Sequence, residues 1–121
     1  MIDIASALYQ FFSGFDIPAF VDGSVPSNQA LPYITYRLIK PDWQDNVQLP
    51  ARIWYRSPSW REAAEKAQEI SRAIGNGYSM QVGDGCLVLY RDSNFSQAMT
   101  DDTDDMIKIM YLSLIINAYT T

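Results

Sequence analysis

The sequence predicts an α+β fold: a single domain with a mixed or mostly antiparallel sheet of five to six strands and two helices packed on one of its faces. Three features point to it. Residues 3 to 13 and 60 to 74 carry apolar side chains at helical spacing and run into glycine. The stretches LPYITYRLIK and VQLPARIWYRS alternate, as half-buried strands do. The closing run MIKIMYLSLIINAY is apolar at both parities, the mark of a strand covered on both faces.

Taken in order, Ile4, Leu8, Phe11, Phe12 and Phe15 define the first helix, with Asp3 near its start and Gly14 placed for a left-handed cap. IPAFV suits a short edge strand before Pro, Gly, Ser and Asn break the pattern into a surface loop. In the next strand Tyr33, Thr35 and Arg37 oppose Ile34, Tyr36 and Leu38. After the PDWQD turn, Arg52, Trp54 and Arg56 oppose Ala51, Ile53 and Tyr55. Together the two strands predict a long hairpin, with Pro50 at an edge or bulge. Ser59 and Glu62 have capping-box spacing ahead of an alanine-rich helix over 60–74 that ends at Gly75 and Gly77. YSMQVGDGCLVLYR reads as two short strands around a Gly-Asp-Gly turn, and Met106 to Ala118 as the long closing strand. Two helices hardly cover both faces of such a sheet, so the second face is expected to meet another subunit.

Apolar residues make up 48% of the 121 and charged residues 19%, a low-charge composition that excludes disorder and suits surface buried against partners. The net charge is -5, and the nine basic residues are scattered from Arg37 onward without a cluster, which argues against charge-driven nucleic-acid binding. Cys86 is the single cysteine, so no intrachain disulfide forms, and in CLVLY it reads as a small core residue. Neither the N-terminal stretch nor the closing run suits a signal or a membrane span, so a soluble protein kept in a cytoplasm is expected, with no membrane partner.

The sequence contains no histidine, which removes the commonest general base and metal ligand and excludes histidine triads. Its glycine pairs lack the lysine and the strand-to-helix setting of phosphate-binding loops. TDDTDD supplies Asp101, Asp102, Asp104 and Asp105, but neither the glycine nor the closing glutamate of a calcium loop. These aspartates are read as capping the start of the last strand and keeping the apolar run from stray pairing. No catalytic residue, metal site or cofactor is assigned, and the chain is expected not to be an enzyme. A divalent-metal-dependent enzyme using Asp101 to Asp105 stands as the remote alternative.

LPYITYRLI, then ARIWYRSPSW running from strand into the capped helix, then the glycine-bounded hairpin, then the DSNFSQAMTDD loop before a long apolar strand, occur in one order over about Ile2 to Tyr119. In that order the chain resembles the tail terminator, or tail completion, proteins of long-tailed bacteriophages and prophages. The resemblance implies a structural virion protein assembled in the bacterial host cytoplasm. It forms a homo-oligomeric ring, usually a hexamer, that caps the head-proximal end of the tail tube, stops its polymerisation and docks the head. Its partners are then further copies of itself, the tail tube protein and a head connector or neck protein, while DNA passes through without specific binding. A related neck or tube subunit, or a protein-binding adaptor, is the nearer alternative.

The face bearing Tyr33, Arg37, Arg52, Trp54 and Arg56 mixes arginine with aromatics, the composition of contact hot spots, and is the expected subunit interface. The bland reading is a solvated face of long snorkelling side chains. Asp101, Asp102, Asp104 and Asp105 would line the lumen or pair with Arg52 and Arg56 of a neighbour.

Overall fold

The computed structural model describes residues 3–37, 46–83, 85–100 and 104–120. Helix α1, Ile4–Phe12, begins where Asp3 accepts a hydrogen bond from the Ser6 N–H at 2.8 Å, satisfying one of the donors that a helix start leaves open. It does not stop at Gly14. A 3-10 turn, Ser13–Phe15, carries the chain on, and the left-handed residue is Asp16, at φ 68°. Aspartate adopts that conformation at lower cost than most residues because its short polar side chain bonds locally.

Strand β1, Ala19–Val21, is the expected edge strand and pairs in parallel with β2, Tyr33–Tyr36. β2 runs antiparallel to β3, Asn46–Arg56, which in turn pairs along its length with β6, Ile107–Thr120. β6 pairs with β5, Gly85–Thr100, and β5 with β4, Tyr78–Val82, closing a six-stranded mixed sheet of order β1-β2-β3-β6-β5-β4. Leu38 and the PDWQD turn lie outside the described residues, as does Asp84.

Pro50 sits inside β3 just past the last pair with β2, Tyr36 with Ala51, so its β2 side is the expected local edge, while the register to β6 is unbroken at Ser113. Its carbonyl accepts from the Arg37 N–H at 3.1 Å. In an antiparallel strand a residue's N–H and C=O point the same way. The missing N–H therefore faces the point where β2 leaves the sheet, and no ladder bond to β6 is lost.

Helix α2, Arg61–Ile74, lies on the same face as α1. Its start differs from a capping box: Ser59 Oγ accepts from the Arg61 N–H at 3.1 Å, while the Ser59 N–H is taken by Ser57 Oγ at 3.2 Å. With that donor already satisfied, Glu62 has no cap to close. Ala63, Ala67, Ile70 and Ile74 are buried, the alanines letting the helix lie close on β3, β5 and β6. Lys66 ties the helices together, its Nζ donating to the Phe15 carbonyl at 2.6 Å and pairing with Glu69 at 2.8 Å.

Between the helices and the sheet runs one core that includes Leu8, Phe12, Ile34, Tyr36, Leu49, Ile53, Leu87, Leu89, Leu112, Leu114 and Ile116. Phe12 stacks on Tyr36 with ring centroids 4.6 Å apart, and Phe11 meets Phe12, Phe15 and Tyr78. Each such side chain, fully buried, contributes about 1.5–3 kcal/mol relative to exposure.

β5 is the largest departure from the sequence reading, which ended that hairpin near Arg91 and left DSNFSQAM as a loop. The strand continues to Thr100, with its register broken between Arg91, opposite Leu114, and Ser96, opposite Leu112. Asp92, Ser93, Asn94 and Phe95 thus stand against Ser113 alone, a bulge in which Phe95 still packs on the core.

Candidate protein-contact face

The helices cover one face of the sheet and leave the other open. β2 and β3 alternate onto it as the sequence predicts: Ile34, Tyr36, Ala51, Ile53 and Tyr55 point to the helices and are buried, while Tyr33, Thr35, Arg52, Trp54 and Arg56 point away. Cross-strand register then assembles rows that no single strand reveals. Tyr33, Trp54, Ile109 and Met99 form one, and Thr35, Arg52, Tyr111 and Gln97 the next.

The first row is fixed by contacts. Trp54 Nε1 donates to Thr35 Oγ1 at 2.9 Å, so the indole is held and the threonine, though it points away from the core, is only 4% exposed. The Tyr33 ring lies 5.9 Å from Trp54, and Phe20 meets Tyr33 edge-on at 6.0 Å. In the second row Arg52 lies over the Tyr111 ring, 5.8 Å from its centroid. Arg37, just past β2, shares a cleft of about 40 Å³ with Arg52, Asp22, Pro50, Ala51 and Tyr111. That is room for a side-chain group and far below the roughly 300 Å³ at which small-molecule sites begin.

Farther along β6 the open face carries half-buried Ile115 and Asn117 and, at its rim, Tyr119, 39% exposed. Hydrogen bonding to Tyr119, then burial, pushes the Tyr90 phenol above its ordinary value. Cys86 stands opposite Tyr119 on this open face, half-buried rather than in the core. The closing strand is thus buried on its helix side through Met110, Leu112, Leu114, Ile116 and Ala118, whereas its open side is covered only in part.

Of the predicted interface residues, Tyr33, Arg52 and Trp54 sit together, and Arg37 joins them through the cleft. Arg56 is set apart at the end of β3, where its Nη1 binds Asp104 Oδ2 of the same chain at 2.7 Å. Asp104 also caps the strand's start, accepting from the Met106 N–H at 2.9 Å. The capping role read from the sequence therefore holds for Asp104. Asp105 is exposed, and Asp101 and Asp102 lie outside the described residues. Among the described residues no cluster of three acidic or cysteine ligands is arranged to hold a metal ion.

Ile109, Tyr111, Ile115, Tyr90 and Met99 belong to the same face and were not singled out from sequence. The alternation within IKIMYLSLIIN carries the signal, but an apolar strand conceals which parity faces out until its neighbours are known. A larger concavity, about 410 Å³, is a groove beside α2 walled by Tyr55, Glu62, Glu65, Lys66, Gln68, Glu69 and Arg72. Its walls are mainly long polar side chains of one helix, with no nucleophile and base in contact.

No protein-family model matches the chain, and no curated protein matches it. Among the described residues no helix is long and apolar enough to cross a membrane.

Proposed function

We propose that the chain is a structural assembly subunit whose open sheet face binds another copy of itself. The observation that carries this reading is the ordered row Tyr33, Trp54, Ile109 and Met99 beside Arg52 and Tyr111. It places held aromatics and arginine on a half-buried surface that neither helix covers, the composition of contact anchors. Such a patch meeting a different patch on the next copy generates a ring when the rotation closes.

Within that class, the resemblance in element order favours a tail terminator: a ring, usually of six copies, at the head-proximal end of a phage tail tube. It would stop tube growth, present a docking surface to the head and let DNA through without reading it. The reading assigns the protein no catalysis and no cofactor, and it places the protein in the virion tail. Adding the purified chain to polymerising tail tube subunits tests it: electron microscopy should show short tubes with a ring at one end. Tubes that grow to the same length with or without the chain would count against the terminator role, and a partner other than tube protein would favour the adaptor reading.

A further inference from the structure

Three places on the molecule invite a ligand. The groove beside α2 is walled by long polar side chains of mixed charge, of which Lys66 and Glu69 already pair, and nothing in it specifies a ligand. Among the described residues the outer edge of β5 beyond Tyr90 has no strand beside it, yet nothing shows what would lie there. The cleft between Arg37 and Arg52 is different, because its chemistry specifies the missing group.

Resting on the reading of the open face as a subunit contact, we infer that the Arg37–Arg52 cleft is a carboxylate seat, filled by Asp105 of a second copy of this chain. Arg37 and Arg52 both line one cleft, and among the described residues neither guanidinium donates a hydrogen bond or enters an ion pair. Of the other four arginines, Arg56, Arg61 and Arg91 have partners, Asp104, Glu65 and Ser71, and Arg72 stands exposed on the wet side of α2. Arg52 is held in place over Tyr111, so a part of the ordering cost of a forked contact is already met.

The charge in the cleft narrows the ligand. The residues lining the cleft carry two guanidiniums and one carboxylate, that of Asp22, a net charge of +1, which one further carboxylate neutralises and a phosphate dianion would overshoot. Its volume of about 40 Å³ takes a side-chain carboxylate and excludes a larger organic acid. A chain of net charge -5 does not draw free anions toward it from a distance, so the group is best delivered on a protein surface already docked by apolar contact.

Asp105 is the matching group. It is exposed, its carboxylate forms no ion pair among the described residues, and it lies in the turn that leads into β6. It cannot serve its own chain's cleft. Tyr111, at the cleft, lies four residues into β6 from Ile107, about 13 Å along the strand, and Asp105 lies beyond that start. Cleft and turn are thus different patches of the same subunit, as a head-to-tail contact requires.

Charge reversal tests this on the full chain, read by sedimentation velocity and mass photometry, with circular dichroism confirming that each variant is folded. R37E/R52E and D105R, each alone, should raise the concentration needed for assembly at least tenfold. An equimolar mixture should recover assembly, because in alternating copies each reversed cleft meets a reversed turn and each native cleft a native turn. Wild-type assembly that neither reversal disturbs overturns this inference while leaving the contact face standing. Variants that fall apart and do not recover on mixing overturn the pairing of cleft with Asp105. A wild-type chain that stays monomeric overturns the inference together with the reading beneath it.

Discussion

Arg56 and Asp104, forty-eight positions apart in the chain, are joined by a 2.7 Å ion pair that fastens the end of β3 to the turn before β6. The pair spends inside one subunit two charges that the sequence had offered to an interface. With side chains 59% and 30% exposed, it contributes no more than about 1 kcal/mol. Arg56→Met should lower stability in urea by that amount or less, with little change in assembly. Asp104→Ala should cost more, about 1–2 kcal/mol, because the Met106 N–H loses its acceptor as well. Equal costs for the two variants would mean that the cap contributes nothing.

Trp54 should behave in the opposite way. It is half-buried, held by Thr35 and in tilted ring contact with Tyr33, but it lies outside the core beneath the helices. Trp54→Ala should weaken self-association by at least about 2 kcal/mol, the scale of a contact anchor. Its effect on the urea midpoint of the isolated subunit should be the smaller one. If folding and association fall together, the face belongs to the subunit's own core.

The alanines of α2 answer to packing alone. Ala63 is fully buried where the helix approaches the sheet, so Ala63→Leu has nowhere to place its added carbons. A loss of about 1–3 kcal/mol in chemical denaturation is expected. Leu112→Ala, on the central strand, should cost about 2–5 kcal/mol by opening a cavity in the same core.

Much of this was legible in the sequence, for physical reasons that also explain the exceptions. Alternation in YITYR and ARIWYR settles which side chains face the helices, because a half-buried strand admits only one assignment. The face residues Tyr33, Arg52 and Trp54 followed from the same pattern. DSNFSQAM does not alternate, since a bulge breaks the period of two, and so a strand was taken for a loop. Pro50 was placed at an edge because a proline costs a ladder bond, and the register shows where that edge comes from: pairing with β2 ends at the neighbouring Ala51. The cleft joins Asp22, Arg37, Arg52 and Tyr111, residues from across the sheet that no local pattern could bring together.

Alkaline pH probes the core from another side. Burial raises the phenol of Tyr36, and burial foremost does so for Tyr55. The folded state therefore keeps these protons where the unfolded chain releases them. Stability is complete below the ordinary tyrosine value of 10.0 and falls as pH rises through it toward the folded values. Thermal melts between about pH 9 and 11 should show this decline. In Tyr55→Phe it should be shallower, and an identical slope would remove Tyr55 from the explanation.

The most direct measurement of the central claim is the mass distribution of the purified full-length chain in solution, by mass photometry or light scattering with negative-stain imaging. A closed ring of several copies, lost on Trp54→Ala while circular dichroism stays native, is the predicted result. A wild-type chain that remains a monomer up to high concentration and shows no ring in images would contradict it.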